Sequence, residues 1–178
     1  LDEKYRLGLM TINKQGPNGN ADEATVFVPV KDFDATQKAA LYTAFYNAGL
    51  PGGTPLREAL SNAGKYYAYK LGAGQKNDPM QYACQRNFAL LTTDGYWNGA
   101  AGKSLSNSTL DELATVAGHY YATDLRTSDL RNCTSGDTGK DVCDNIVPPQ
   151  EKDKAEHQHM VTYTIGLGVT GSVPFTTD

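Results

Sequence analysis

The sequence predicts an α/β fold in which helices cover both faces of a mostly parallel sheet, because strand-like and helix-like segments alternate along the chain. The clearest strand is Phe88–Thr93 (FALLTT), a short and mainly apolar segment that Asp94-Gly95 closes. Such a segment is typical of a buried parallel strand. A further strand is predicted at Met160–Leu167 (MVTYTIGL).

The N-terminal part of the chain predicts an antiparallel hairpin at one edge of this sheet. Tyr5–Ile12 (YRLGLMTI) is apolar-rich, and Thr25–Val30 (TVFVPV) is rich in β-branched residues after a polar loop. Pro29 lacks the amide hydrogen that a central strand needs, so we place the second strand at the edge.

Three segments predict helices. Asp34–Asn47 carries an apolar stripe that includes Phe45. A second helix is predicted to begin at Thr54-Pro55, because proline is favoured at the first helical position. The pattern Thr109-x-x-Glu112 is a capping box, which predicts the start of a third helix at that point.

Length and charge limit the classes of protein to consider. The 178 residues suit one domain spanning 1–178. The net charge is −4 and the basic residues are scattered, which argues against a nucleic-acid partner. No segment approaches the run of about 18 apolar residues that a membrane span needs. The chain opens at Leu1 without an initiator methionine, and we expect it to be a piece of a longer protein.

Two residues stand out as metal-ligand candidates. Ligands of α/β sheets bind at the carboxyl ends of the parallel strands, and Asp94 lies at such an end. Its carboxylate either coordinates a metal or caps the turn that follows. Thr54 is either a metal ligand or the N-cap of the second helix. A hydroxyl and a carboxylate on neighbouring loops would suit Mg²⁺, which prefers oxygen ligands.

No motif indicates an enzyme. The spacing Gly166-x-Gly168-x-x-Gly171 spells a dinucleotide fingerprint, but no helix opens there and Pro174 follows. The sequence contains no Walker lysine motif, no serine nucleophile elbow and no cysteine–histidine pair at a suggestive spacing. We therefore predict a binding protein.

The remaining charged residues predict structural roles. For His119, His157 and His159 we expect surface or capping positions. The segments Asp124–Arg126 and Asp129–Arg131 are interpreted as exposed ion-pair turns, which contribute little stability.

The three cysteines are also interpreted from their context. Cys133 and Cys143 flank the polar loop 132–144, and a local disulfide there would stabilise by roughly 2–3 kcal/mol. The alternative is a pair of free thiols. Cys84 is left over, either as a buried free thiol or as the partner of a cysteine elsewhere.

Four segments, taken in order, carry a family resemblance: GTPLREALSNAGKYY, CQRNFALLTTDGYWNG, HYYATDLR and QHMVTYTIGLGVTG. From about Tyr5 to Val173 the chain resembles the von Willebrand factor A (vWA) region of type IV pilus tip-associated adhesins of the PilC/PilY family. The resemblance implies a Rossmann-like sheet with a metal-ion-dependent adhesion site, to which Thr54 and Asp94 would contribute. The family's Asp-x-Ser-x-Ser motif and first central strand would lie before Leu1, so the metal site is expected to be incomplete without them.

The resemblance also implies a function. The domain would act in adhesion and pilus assembly at an extracellular pilus tip or outer-membrane surface, after transit through the periplasm. Expected partners are minor pilins or other tip components, a host or surface ligand, the protein's own upstream segment and a C-terminal β-propeller. Mg²⁺ or another divalent cation would bridge to the ligand, with Gly95, Tyr96, Trp97 and Asn98 as contact candidates. The alternative is a structural or mechanosensing module without metal or ligand.

Overall fold

A computed structural model describes residues 4–13, 26–48, 53–72, 75, 77–130 and 141–168. Within these ranges the chain alternates between strands and helices, as the sequence predicts. The elements are β1 (Arg6–Met10), β2 (Val26–Asp32), α1 (Ala35–Tyr46), α2 (Leu56–Tyr67), β3 (Asn87–Thr93), β4 (Gly102–Lys103), β5 (Thr109–Leu110), α3 (Leu113–Ala122), a 3-10 turn (Ser128–Leu130) and β6 (Met160–Gly166).

The predicted parallel strands pair with each other. β3 and β6 run parallel in continuous register, from Asn87 opposite Met160 to Thr93 opposite Gly166. Helices α2 and α3 pack against one face of this pair, where Leu91 and Met160 are buried. The result is a mixed α/β arrangement that is consistent with a Rossmann-like fold, which confirms the predicted fold class.

The predicted hairpin is also present. β1 and β2 pair antiparallel, with register shifts on both sides of Leu9. The Gln37 side-chain amide of α1 donates to the carbonyls of Leu7 and Pro29, both at 2.7 Å, and so ties the helix to both strands. The helix begins where predicted, because the Asp34 carboxylate caps the Gln37 amide. Its predicted apolar stripe is wrong at Phe45, which is 66% exposed.

The core forms where α2 crosses α3. Gly64 lies so close to Tyr120 that a Cβ atom on the glycine would meet the ring at 2.2 Å. The tyrosine hydroxyl is satisfied by the Lys103 carbonyl at 2.6 Å, so the buried ring leaves no polar atom unpaired. The buried residues of this cluster are Leu60, Ala68, Met80, Val116, Tyr120, Leu125, Val142 and Met160.

The predicted capping box is wrong. Thr109 belongs to β5, which pairs antiparallel with β4, and its hydroxyl accepts a hydrogen bond from Lys103 Nζ at 2.8 Å. Helix α3 therefore begins later, at Leu113, and its N-cap Glu112 makes no side-chain capping bond. The strand pairing places Thr109 in extended backbone before the helix, so the residue is not at the N-cap position.

The strand expected before Leu1 stays a prediction. Direct pairing of β1 with β3 would contradict it, and in the described ranges β1 pairs with β2 while β3 pairs with β6. None of the described helices is both long and apolar enough to cross a bilayer.

Candidate functional site

The loop that follows β3 begins the candidate site. Thr93 ends the strand, and Asp94 opens an exposed loop that runs to Gly99. The Thr93 hydroxyl accepts a hydrogen bond from the Gly95 amide at 3.3 Å, which closes the first turn. Asp94 makes no such bond in the described part of the chain, so the alternative that it caps this turn is not supported.

The segment that carries Thr54 lies directly against this loop. The Thr54 amide donates to Asn98 Oδ1 at 2.9 Å, and the Asn98 amide donates to the Thr54 carbonyl at 3.0 Å. Gly99 has a φ of 84°, and a Cβ atom there would lie 3.1 Å from Pro55 Cβ. The segment that bears Thr54 therefore lies against the loop that Asp94 opens. That the two side chains share one metal ion stays a prediction.

The Thr54 side chain is not used as a helix cap. Helix α2 begins at Leu56, and its N-cap position is Pro55, which makes no side-chain capping bond. The predicted start of the helix is thus close to correct, whereas the alternative role of Thr54 as N-cap is wrong. Thr54 is partly buried, and its backbone N–H and carbonyl both bond to Asn98 in the loop that Asp94 opens.

Two residues that the sequence did not single out hold the rim together. Arg57 donates to the Asp111 carbonyl at 2.7 Å and to the Gly99 carbonyl at 2.8 Å. Asn13, just after β1, donates from Nδ2 to the Gly53 carbonyl at 3.2 Å. Both contacts are to backbone carbonyls, which any residue supplies, so no sequence pattern points to them.

The donor chemistry of the rim fits a hard cation in part. The exposed Asp94 carboxylate and the Thr54 hydroxyl are oxygen donors of the kind that Mg²⁺ prefers. Together they supply two donors, whereas Mg²⁺ takes about six in octahedral geometry. Over the described residues, no three His, Cys, Asp or Glu side chains lie close enough to hold a metal.

The predicted contact residues form the outer surface of the loop. Tyr96 is 96% exposed and Trp97 is 42% exposed. Trp97 is thus only partly buried. Asn98 is exposed as well, although its side-chain oxygen holds Thr54.

The histidines are distributed between surface and interior. His119 and His157 are partly exposed, and burial lowers the pKa of His119. His159 is buried, with Nδ1 2.7 Å from the His157 carbonyl and Nε2 3.0 Å from Asp153 Oδ2. The predicted surface role is therefore wrong for His159, because a carboxylate and a carbonyl satisfy both of its ring nitrogens.

The predicted exposed ion-pair turn at Asp124–Arg126 is also wrong. Arg126 is completely buried and forms a two-point ion pair with Asp78. Its Nε donates to the Tyr67 carbonyl at 2.9 Å. The partner lies 48 positions earlier in the chain, which explains why local sequence does not reveal it. Arg131 lies outside the described residues, as does the side chain of Asp129.

The structure describes two of the three cysteines, Cys84 and Cys143. Cys143 is disulfide-bonded, and Cys84 is a free, exposed thiol rather than a buried one. Cys133 and most of the loop 132–144 lie outside the described residues. The pairing of Cys133 with Cys143 stays a prediction.

Comparison with known proteins gives one set of relatives. The chain is 31% identical to the type IV pilus biogenesis factor PilY1 of Pseudomonas aeruginosa PAO1, over 97% of this chain and 18% of that relative. PilY1 of strain UCBPP-PA14 is also 31% identical, over 97% of this chain and 17% of the relative. The chain is homologous to a segment of PilY1 and spans less than a fifth of these relatives. No protein-family model and no solved structure matches it.

Proposed function

We propose that this chain is a ligand-binding module of a type IV pilus biogenesis factor and that it acts at the β3 rim. The homology to PilY1 supports the assignment to pilus biogenesis. The observation that carries the site is the pair of hydrogen bonds between Thr54 and Asn98, which holds the Thr54 segment beside the loop that Asp94 opens. This rim is the carboxyl end of a parallel strand, where α/β sheets bind their ligands.

A divalent cation such as Mg²⁺ would be held by the Asp94 carboxylate and the Thr54 hydroxyl, with further donors from a segment outside these residues. A bound cation supplies an open coordination position that an acidic group of a ligand can take. The side chains around it would then set the specificity. Tyr96 and Trp97 present aromatic surface beside Asp94, and exposed aromatic residues are enriched in protein interfaces.

The ligands that fit such a rim are proteins or surfaces with accessible carboxylates. For a pilus biogenesis factor these would be minor pilins, other tip components or a host surface. The module would act outside the cell, at the pilus tip or outer-membrane surface. We propose a binding role and no catalytic one, because the described residues of this rim do not pair a nucleophile with a base.

A second candidate function is a structural or mechanosensing module without metal. One observation favours it: Arg57, Asn98 and Asn13 already hold the rim loops together through protein hydrogen bonds alone. In that case the rim would transmit force between pilus components, and Asp94 would be an ordinary surface carboxylate.

Titration of Mn²⁺ into the full-length protein, followed by electron paramagnetic resonance, separates the two functions. We expect one binding event that Asp94→Asn and Thr54→Val each weaken strongly. The matched control is Asp144→Asn, because Asp144 is also exposed but lies in the region after α3. Equal Mn²⁺ binding by the wild type and Asp94→Asn would remove the metal site and leave the structural module.

A further inference from the structure

Two lysines converge on the hairpin formed by β4 and β5. Lys103 belongs to β4, and its Nζ donates to the Thr109 hydroxyl on β5 at 2.8 Å. Lys65 lies on α2, and its Nζ donates to Asn107 Oδ1 in the turn of the hairpin at 3.4 Å. Two ammonium groups from separate elements therefore share one hairpin, in a chain whose net charge is −4.

Buried contacts fix the position of this hairpin against α2. The Lys103 amide donates to Ser61 Oγ at 2.6 Å, and the Tyr120 hydroxyl donates to the Lys103 carbonyl at 2.6 Å. Both Ser61 and Tyr120 are buried. Ser61 lies one helical turn before Lys65, so the two residues are on the same face of α2. The lysines are thus placed side by side by the fold and not by an attraction between their own side chains.

The charge of this lysine pair is not balanced within the described part of the chain. Neither ammonium group forms an ion pair there. Burial lowers the pKa of Lys65, the neighbouring charge of Lys103 lowers it further, and the carboxylate of Glu58 offsets only part of this. Two like charges are therefore held together at a cost in free energy, which a bound anion would relieve.

The hairpin adds neutral donors beside the two ammonium groups. Ser106, Asn107 and Thr109 are exposed. Asn107 Oδ1 accepts from Lys65 and Thr109 Oγ1 accepts from Lys103, so the Asn107 NH₂ group and the Thr109 hydroxyl hydrogen remain as donors in the described part of the chain. Ammonium, amide and hydroxyl donors together match the acceptor oxygens of an oxyanion.

The charge and extent of this surface favour a phosphate group. A phosphate monoester carries about −1.5 to −2 charges at pH 7 and offers three acceptor oxygens. It would neutralise both lysines at once, whereas a carboxylate would neutralise one. The exposed Asp111 and Glu112 directly follow β5, so the positive area is small. It suits a single phosphate group better than a nucleic acid, which needs an extended basic face.

We propose that Lys65, Lys103 and the turn of the β4–β5 hairpin form a binding site for one phosphate monoester group, carried by a lipid headgroup or present as free phosphate. The site is separate from the β3 rim. Leu56 begins α2 at the rim, and Lys65 lies about 14 Å further along the helix axis. The proposal therefore does not rest on the cation proposed at the rim.

Two binding assays on the full-length protein test the site and its source. Inorganic phosphate is titrated by calorimetry, and phosphatidylcholine vesicles that contain phosphatidic acid are tested by co-sedimentation. We expect Lys65→Gln and Lys103→Gln each to weaken binding by about tenfold, as for one lost charge-assisted hydrogen bond. The matched control is Lys38→Gln, because Lys38 is also exposed but lies on α1. It should bind as the wild type does.

Each outcome of these assays has a defined meaning. Binding to the vesicles alone would identify a lipid headgroup as the source, and binding to inorganic phosphate as well would identify free phosphate. No binding in either assay, or unchanged binding by both lysine variants, would overturn the site. Equal binding to vesicles with phosphatidylglycerol, whose phosphate is a diester with one charge, would show only a general attraction to anionic surfaces and would also overturn it.

Competitive acetylation, read by mass spectrometry, gives a second readout that needs no substitution. Saturating phosphate should slow the acetylation of Lys65 and Lys103 and leave Lys38 unchanged, because an ammonium group that is paired with an anion reacts slowly. Slowing at all three lysines, or at none, would contradict the proposal. Neither readout involves Mn²⁺ or Asp94, so the phosphate site and the cation site at the rim can fail separately.

Discussion

The two ends of β3 carry polar residues that are used in opposite ways. At its beginning, Asn87 is buried and donates to Gln158 Oε1 at 3.2 Å and to the His159 carbonyl at 3.1 Å, while it accepts from Gln85 at 2.7 Å. At its end, Asp94 is exposed and bonds to no described residue. The first end is closed by protein contacts, and the second leaves a carboxylate open to solvent.

The difference separates polar groups that stabilise the fold from polar groups that are exposed to solvent. A buried polar group that loses its partner costs free energy, so each group at the closed end has its partner supplied by another element. At the open rim, hydrogen bonds hold the backbone of the loop, whereas the side chains of Asp94 and Tyr96 are exposed to solvent and need no protein partner. Variants at the two ends should therefore differ in their effect on stability.

The largest effect is expected beside the closed end, from Asp78→Ala. Arg126, the partner of Asp78, follows Leu125, whose amide donates to the carbonyl of Gln158, and the Gln158 side chain bonds to Asn87. This change leaves the buried guanidinium of Arg126 without its carboxylate, which should lower the free energy of unfolding by about 3–5 kcal/mol. The matched control is Asp32→Ala, which breaks the pair between Arg6 and the 73%-exposed side chain of Asp32. That control should cost less than about 1 kcal/mol. Urea unfolding of both variants checks the difference, and equal losses would contradict it.

The sequence predicts the elements of this fold better than its polar contacts. The β3 and β6 strands follow from apolar runs, which are local signals. Arg126 pairs with Asp78, which lies 48 positions earlier in the chain. Local sequence does not show this partner, so Asp124–Arg126 was predicted to be an exposed turn. The Thr109 box fails for a different reason: Thr109 pairs in β5 with the nearby strand β4, and helix α3 begins only at Leu113.

The candidate site shows the same division. The strand-end rule singles out Asp94, and only the family resemblance adds Thr54, so the pairing of the two side chains stays a prediction. Arg57 and Asn13, which hold the rim, could not be predicted. Their partners are the backbone carbonyls of Gly99, Asp111 and Gly53. Every residue type has a backbone carbonyl, so the sequence does not identify these acceptors.

At the open rim, Asn98→Ala should have a smaller effect on stability and a local effect on motion. It removes the acceptor for the Thr54 amide, a loss of about 1 kcal/mol. The amides from Gly95 to Gly99 should exchange faster while the core amides of β3 do not. Asn47→Ala is the control, because it also removes one side-chain bond, to the Thr43 carbonyl at 2.9 Å. Faster exchange at the rim in that control would show that the effect is not local.

The smallest effect concerns a partly buried pair beside the closed end. Asp153 accepts hydrogen bonds from Tyr121 at 3.0 Å and from the Ala155 amide at 3.3 Å, and it faces His159. Burial would raise the pKa of Asp153, but the hydrogen bonds from His159 and Tyr121 and the charge of His159 outweigh it. The pKa of this carboxyl therefore lies below its ordinary value of 3.8.

A carboxyl whose pKa falls on folding stabilises the folded state above its unfolded pKa and loses that contribution as the pH drops through the folded pKa. The wild type should thus be more stable than Asp153→Asn near neutral pH, and the gap should narrow as the pH falls below about 4. Thermal unfolding of both proteins between about pH 6 and pH 3 measures the gap, and subtracting one curve from the other cancels the titration of the other carboxylates. A stability difference between the two proteins that stays constant over this range would mean that ionisation of Asp153 does not stabilise the fold. The contact with His159 would then be a neutral hydrogen bond that only positions the chain before β6.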